Sequence, residues 1–171
     1  MLNIVLFQPE IPQNTGNIIR TAMALNAKLH LIKPLGFDIG DKSLLRASMD
    51  YIDECDITIY ENIEEFYKKN PDADIYYVTR YSKKTYSDFD YSRVTKDYYF
   101  MFGRESTGIP HDVLRKNLDK CVRIPMVMNA RSLNLSNSVA IVLFEAARQQ
   151  EFYGLSTFEA IKGEDFLENE K

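Results

Sequence analysis

A chain of 171 residues, 45% hydrophobic and 27% charged, has the composition of a globular protein long enough to bury one substantial core. The opening MLNIVLFQPE has no basic lead-in, and no stretch reaches the length of a membrane span, so neither signal peptide nor anchor is expected and a cytoplasmic location follows. The net charge of −4 argues mildly against a polyanionic partner, yet residues 156–171 alone hold −3, leaving −1 for the body of the chain.

Taken in order, LNIVLF (Leu2–Phe7) is a continuous apolar run of strand length. A Pro-bearing loop follows, with Asn14 as the expected cap of a helix carrying Ile18, Ile19, Ala22, Met23 and Leu25 at helical spacing. KLHLI (Lys28–Ile32) is a second strand, ended by Pro34 and Gly36. Asp41 caps a helix through Leu44, Leu45 and Met49, and residues 55–60 are a third strand. Asn62 caps a helix with Ile63, Phe66 and Tyr67, closed by Pro71.

Residues 74–79 form strand four and open into RYSKKTYSDFDYSRVTK, the longest irregular piece of the chain. Loops of this length in compact domains tend to be functional or mobile. Residues 97–102 are strand five, followed by GRESTGIP and a short helix at 111–117; residues 120–124 are strand six. The loop 129–138 holds three Asn, three Ser and an Arg but no Gly or Pro, and it runs into a helix over 139–147 that is apolar on nearly every face and so expected to be buried almost all round. Ser136 or Asn137 would cap it. Strands alternating with helices predict one α/β domain over 1–155, with a largely parallel sheet covered by helices on both faces, and a solvated acidic tail over 156–171.

Two common uses of such a sheet are excluded. G-x-G-x-x-G does not occur, and Gly103–Gly108 matches only the first half of a phosphate-binding G-x-x-x-x-G-K-[ST], continuing with Ile109-Pro110 where Lys and a hydroxyl are required. Cys55 and Cys121 lie far apart without a second ligand nearby and read as buried thiols, neither a zinc site nor a disulfide. His30 and His111 read as incidental. Three polar loops follow strands: Asn14-Thr-Gly-Asn17 with Arg20, Gly103–Gly108, and 129–138. Ligands in open α/β sheets sit beyond the carboxyl ends of strands, where these loops could converge.

NTGNIIR, FGRESTGIP and IPMVMNARSLNLSNSVAIVLFE, in that order, resemble the three motifs of the SPOUT RNA methyltransferases over essentially residues 1–154. LNIVLFQPEIPQNTGNIIR together with SLNLSNSVA resembles the short subgroup that methylates the ribose 2′-oxygen of the wobble nucleotide, cytidine or uridine 34, of tRNA. The resemblance implies a C-terminal trefoil knot, a homodimer, an anticodon stem-loop as partner, and S-adenosylmethionine as cofactor, leaving S-adenosylhomocysteine, with no metal. Other readings are a ribosomal RNA methyltransferase of the same fold and a non-catalytic RNA- or nucleotide-binding dimer.

By position in the motifs, Val78, Thr79, Gly103, Ile124, Ser132 and Leu133 are the cofactor candidates, with Gly103 expected to let the backbone approach the ligand. Val78 and Ile124 read equally as strand core. Arg20 is the implied catalytic residue, orienting a phosphate and stabilising developing alkoxide charge; its high intrinsic pKa makes a true base of it only under unusual desolvation. Asn14 is expected to bond within its own loop or to Arg20, and Glu105 to hold Arg20 as a bidentate partner, though both read equally as cap and turn residues; Ser132 and Asn134 would turn polar groups towards substrate or cofactor. Arg20, Lys83, Lys84 and Arg131 are RNA-contact candidates. Phe144 stands where the subgroup often has Tyr, which removes any role for a hydroxyl there.

Overall fold

The computed structural model describes residues 1–49 and 51–169. Six strands, β1 (Leu2–Phe7), β2 (Lys28–Ile32), β3 (Ile57–Tyr60), β4 (Asp74–Val78), β5 (Tyr98–Phe102) and β6 (Cys121–Val122), form one sheet in the order β3-β2-β1-β5-β4-β6. Every pairing is parallel. The helices are α1 (Pro12–Leu25), α2 (Lys42–Ser48), α3 (Ile63–Lys69), α4 (His111–Arg115), α5 (Leu135–Gln149) and α6 (Phe166–Asn169). The chain winds outward from β1 through β2 to β3, then crosses to the other side, where β5 slots between β1 and β4. A crevice opens at such a reversal of order, beyond the carboxyl ends of the strands.

Both faces of the sheet are covered, as the continuous apolar strands require. On one face Ile4, Leu6, Leu29, Leu31, Phe100 and Phe102 pack under Ile18, Ile19 and Ala22 of α1, Leu44 of α2, and Val139, Val142, Leu143 and Ala146 of α5. On the other, Val5, Phe7, Ile32, Tyr77 and Met101 pack under Phe66 of α3 and Leu114 of α4. Alternate residues of each strand supply the two layers.

Several boundaries differ from the sequence expectation. α1 begins at Pro12 behind Ile11, whose side chain makes no capping bond; Pro at N1 starts the helix because its missing N–H is not needed there. Asn14 is therefore not a cap but a buried residue of the first turn, and the NTGN motif is helical. Gly16 has its own packing reason: a Cβ there would lie 2.5 Å from Ala47 Cβ and 2.8 Å from Leu44 O, so only glycine lets α2 approach α1 this closely. β3 starts at Ile57, not at residue 55, and β6 has two residues instead of five. Asp41 and Asn62 cap α2 and α3 as expected.

α5 starts earlier and ends later than its apolar run. Its cap is Asn134, whose Oδ1 accepts from the N–H groups of Ser136 and Asn137, so Ser136 and Asn137 receive the cap rather than supply it. Nor is α5 enclosed: Ile141 and Phe144 are 36% and 45% exposed. The tail carries the short α6, with residues 156–169 largely exposed; the last two residues of the expected acidic tail lie outside the described residues.

β6 is held on both edges by the same stretch of chain. It pairs with β4 through Tyr77↔Cys121 and Val78↔Val122. On its far side Thr85 bridges Arg123, the Arg123 N–H donates to Lys84 O at 3.0 Å, and the Tyr86 N–H donates to Arg123 O at 2.9 Å. The chain thus leaves β4, loops, and returns beyond β6, so that β6 lies inside a loop of its own chain. The irregular segment then runs on to α5, where the Tyr91 N–H donates to Gln149 Oε1 at 2.7 Å and Gln149 Nε2 donates to Phe89 O at 3.1 Å.

Far from the crevice, His30 of β2 is buried and bonded at both ring nitrogens. Asn3 Nδ2 donates to Tyr98 O at 3.3 Å, so its Oδ1 faces His30 Nε2 at 3.2 Å as an acceptor. His30 Nδ1 then accepts from the Tyr60 hydroxyl at 2.9 Å, which in turn accepts from Asn70 Nδ2 at 3.2 Å. Burial lowers the His30 pKa to about 4, with Lys28 adding to the effect.

Candidate active site

The loops after β1, β4, β5 and β6 enclose a cavity of about 700 Å³ at the carboxyl end of the sheet. Its walls include Val78 and Thr79 from β4 and its exit, Gly103 and Glu105 after β5, Ile124 after β6, and Ser132, Leu133 and Asn134 before α5. All six cofactor candidates therefore surround one space, as do Asn14 and Arg131. The size and the mixture of aliphatic walls with hydroxyl and amide groups suit a nucleoside-sized ligand.

Three remote segments are tied together behind this wall. The Glu105 carboxylate accepts from the backbone N–H of Glu10 at 2.8 Å, from that of Ile11 at 3.2 Å, and from Asn14 Nδ2 at 3.0 Å. Asn14 Oδ1 accepts from Asn134 Nδ2 at 2.9 Å. Asn134 Oδ1 is committed to the first turn of α5, so every polar atom of this side chain is engaged at once. The chain Glu105–Asn14–Asn134 fixes the start of α1, the β5 loop and the start of α5 relative to one another. A negative group accepting three N–H bonds makes the strongest link of the three.

Glu10, which sequence reasoning passed over, completes the clasp. Its carboxylate accepts from the Ser106 N–H at 2.9 Å and the Ser106 hydroxyl at 2.8 Å, and these bonds hold it below the usual carboxylate range. The exchange is reciprocal, since the Glu10 N–H donates to Glu105. The available signal was an acid next to the Pro-bearing loop, a pattern too common to single out. Arg104 reaches back to Gln8 and lies over the Phe7 ring.

Arg20 is not where the sequence reading put it. It is exposed on α1 beside a separate groove lined by Asn17, Thr21, Met23, Tyr51 and Phe144. Glu105 and Asn14 spend their polar atoms on the backbone and on each other, so neither holds the Arg20 guanidinium. Within one chain the expected convergence of Arg20, Glu105 and Asn134 is thus met by two of the three. Glu105 and Asn134 line the large cavity, whereas Arg20 and Phe144 share the neighbouring groove.

Gly103 lines the cavity and has a packing reason of its own: a Cβ there would lie 2.0 Å from Gly108 C and 2.1 Å from Ile109 N, so the closing of its own loop already demands glycine. Gly108 takes φ +75°, which lets the loop turn back on itself through Arg104 N–H to Gly108 O at 3.2 Å and Gly108 N–H to Arg104 O at 2.9 Å. Lys83 and Lys84 are exposed outside the cavity, and Lys84 Nζ donates to Asp119 O at 3.4 Å. Both cysteines are buried and free; desolvation pushes the Cys55 thiol up to about 11 and also raises Cys121.

Comparison with known proteins places this arrangement. A Saccharophagus degradans tRNA (cytidine(34)-2′-O)-methyltransferase is 39% identical over 155 residues, 90% of this chain and 99% of its own. A Geobacillus stearothermophilus protein that carries the same name provisionally is 52% identical over 155 residues, 91% of this chain and 99% of its own. A solved structure concerned with the 2-OH methylation of C/U34 on tRNA superposes with TM-score 0.83 at 37% identity, covering 89% of this chain and 97% of that one. An AdoMet-bound rRNA methyltransferase from Sinorhizobium meliloti superposes with TM-score 0.77 at 29% identity, covering 86% of this chain and 56% of that one. The profile of the SpoU rRNA Methylase family matches residues 1–144, and the chain belongs to that family.

Proposed function

We propose that this protein transfers the methyl group of S-adenosylmethionine to the ribose 2′-oxygen of nucleotide 34, cytidine or uridine, in tRNA. The observation that carries the reading is the single cavity at the carboxyl ends of four strands, lined by the motif residues Val78, Thr79, Gly103, Ile124, Ser132 and Leu133 and braced by Glu105, Asn14 and Asn134. Close relatives named for this reaction, similar along nearly their whole length, support it.

When bound, the cofactor supplies a methyl group already made electrophilic by its sulfonium. What remains for the protein is placement: the acceptor oxygen must stand in line with the S–CH₃ bond at roughly 3 to 3.5 Å. Val78, Ile124 and Leu133 would hold the flat adenine between apolar walls, with the Thr79 and Ser132 hydroxyls at its polar edges. Arg20 would orient the phosphate of the target nucleotide and stabilise the negative charge developing on its 2′-oxygen as the methyl–oxygen bond forms and the hydroxyl proton passes to water. Because Arg20 is exposed on α1 in a groove shared with Met23 and the half-exposed Phe144 of α5, it acts at the edge of a surface that a second copy of the chain covers in a homodimer. Residues 1–155 form the catalytic unit, and the enzyme works in the cytoplasm on the anticodon stem-loop; Lys83, Lys84 and Arg131 are available for its phosphates.

The test is incubation of the protein with isotopically labelled cofactor and unmodified tRNA, followed by mapping of the alkali-resistant linkage. A 2′-O-methyl group at nucleotide 34 is expected. Cofactor binding without transfer to any RNA would turn the reading to a non-catalytic binding protein.

A further inference from the structure

The irregular segment after β4 presents an aromatic ring to solvent at the mouth of the cavity. Arg80, Tyr81 and His111 all line that mouth. The Arg80 guanidinium carbon lies 5.0 Å from the Tyr81 ring centre, and its Nη2 donates to the Tyr81 hydroxyl at 3.4 Å. His111, at the start of α4, meets the same ring almost perpendicularly, with centroids 5.2 Å apart at 86°. Tyr81 nevertheless remains 59% exposed.

The backbone beneath this ring is held on both sides. The Tyr81 N–H donates to the Thr79 hydroxyl at 3.3 Å. The neighbouring Ser82 is buried, its hydroxyl donating to Cys121 O at 2.7 Å and accepting from the Lys84 N–H at 3.0 Å. The ring is therefore carried by a chain anchored to β6 rather than by a free loop, and ordering it on contact with a ligand costs little.

Charge and shape select the ligand. Arg80 and Arg131 line the cavity together with Glu105, whose carboxylate is already occupied by three N–H donors, and Lys83 and Lys84 follow Tyr81 in the chain. A cationic rim with an open aromatic ring matches single-stranded nucleic acid, whose phosphates meet the cations while a base stacks on the ring. We propose that Arg80, Tyr81 and His111 form a stacking platform for an unpaired base adjacent to the target nucleotide, making Tyr81 a substrate-positioning residue. This inference rests on the RNA-methyltransferase reading above.

The experiment uses the full-length protein and an anticodon stem-loop with 2-aminopurine next to nucleotide 34, together with steady-state kinetics on tRNA and calorimetry with S-adenosylhomocysteine. The wild type quenches the fluorescent base on binding. Tyr81→Leu, which keeps apolar bulk at an exposed position, should abolish the quench and raise the KM for tRNA roughly ten-fold, with kcat and cofactor affinity within about two-fold. Tyr81→Phe should keep the quench. An undiminished quench in Tyr81→Leu overturns the platform, as does a loss of cofactor affinity in that variant, which would make Tyr81 a lid over the cofactor. A wild type that binds cofactor but no stem-loop overturns the underlying methyltransferase reading and the platform with it.

Discussion

Glu105 shows how one residue decides the site. Its carboxylate gathers the N–H groups of Glu10 and Ile11 and the Asn14 amide, and no neutral side chain can accept all three. Glu105→Gln turns one acceptor into a donor facing an N–H group, and the expected cost is about 1–3 kcal/mol. Thermal unfolding should show the loss, and calorimetry should show weaker binding of S-adenosylhomocysteine as the α1 and β5 loops separate. Arg20 behaves in the opposite way. It is exposed and away from the brace, so Arg20→Ala should leave the melting temperature and cofactor affinity nearly unchanged while reducing transfer at least about 100-fold. A large loss of cofactor affinity in that variant would remove Arg20 from the acceptor side.

His30 adds a pH dependence that is independent of catalysis. Its folded-state pKa, about 4, lies below the ordinary 6.5, because burial disfavours the charged ring. The unfolded chain therefore binds the proton more readily, so stability is complete above about pH 6.5 and is lost as pH falls toward 4, by on the order of 3 kcal/mol. Urea unfolding at a series of pH values should show this slope in the wild type and a flatter one in His30→Gln.

At the level of elements, the β5 loop is defined by what cannot fit in it. Gly103 faces the backbone of Gly108 and Ile109 at distances that no Cβ tolerates, so Gly103→Ala must displace the loop that carries Glu105. A loss of about 1–3 kcal/mol is expected, with a lower melting temperature and weaker cofactor binding together. Unchanged stability with weaker binding would instead restore the simpler view that glycine makes room for the ligand. The start of α5 was legible only in part. The apolar run from Val139 marked the helix, but nothing in NARSLNLSNS distinguishes Asn134 from the other amides and hydroxyls that could cap it. The choice falls on Asn134 because its Nδ2 is simultaneously satisfied by Asn14, a residue 120 positions away.

For the whole molecule, the alternation of apolar runs and capped helices made the α/β class and the parallel sheet readable, since a strand buried on both faces must be apolar throughout. The order of the strands was not readable, and neither was the insertion of β6 between β4 and the segment around Thr85, because backbone hydrogen bonds carry no sequence signature. The exposed face of α1 and α5 makes a claim about assembly. Phe144 is 45% exposed and lines the Arg20 groove there, so Phe144→Asp should convert the proposed dimer to a monomer in sedimentation velocity. A wild type that sediments at the mass of a single chain would exclude the dimer.

By itself the sequence determined the six strands and the helices α1 to α5, the three motif segments and the residues bearing hydroxyl, amide and charged groups, because these follow from local periodicity and side-chain chemistry. Only the tertiary structure decided which of them face one another. It joined Glu105, Asn14 and Asn134, brought in Glu10, and set Arg20 apart on the neighbouring face. Such pairings depend on strand order and helix placement, which arise from packing across the whole chain rather than from neighbours along it.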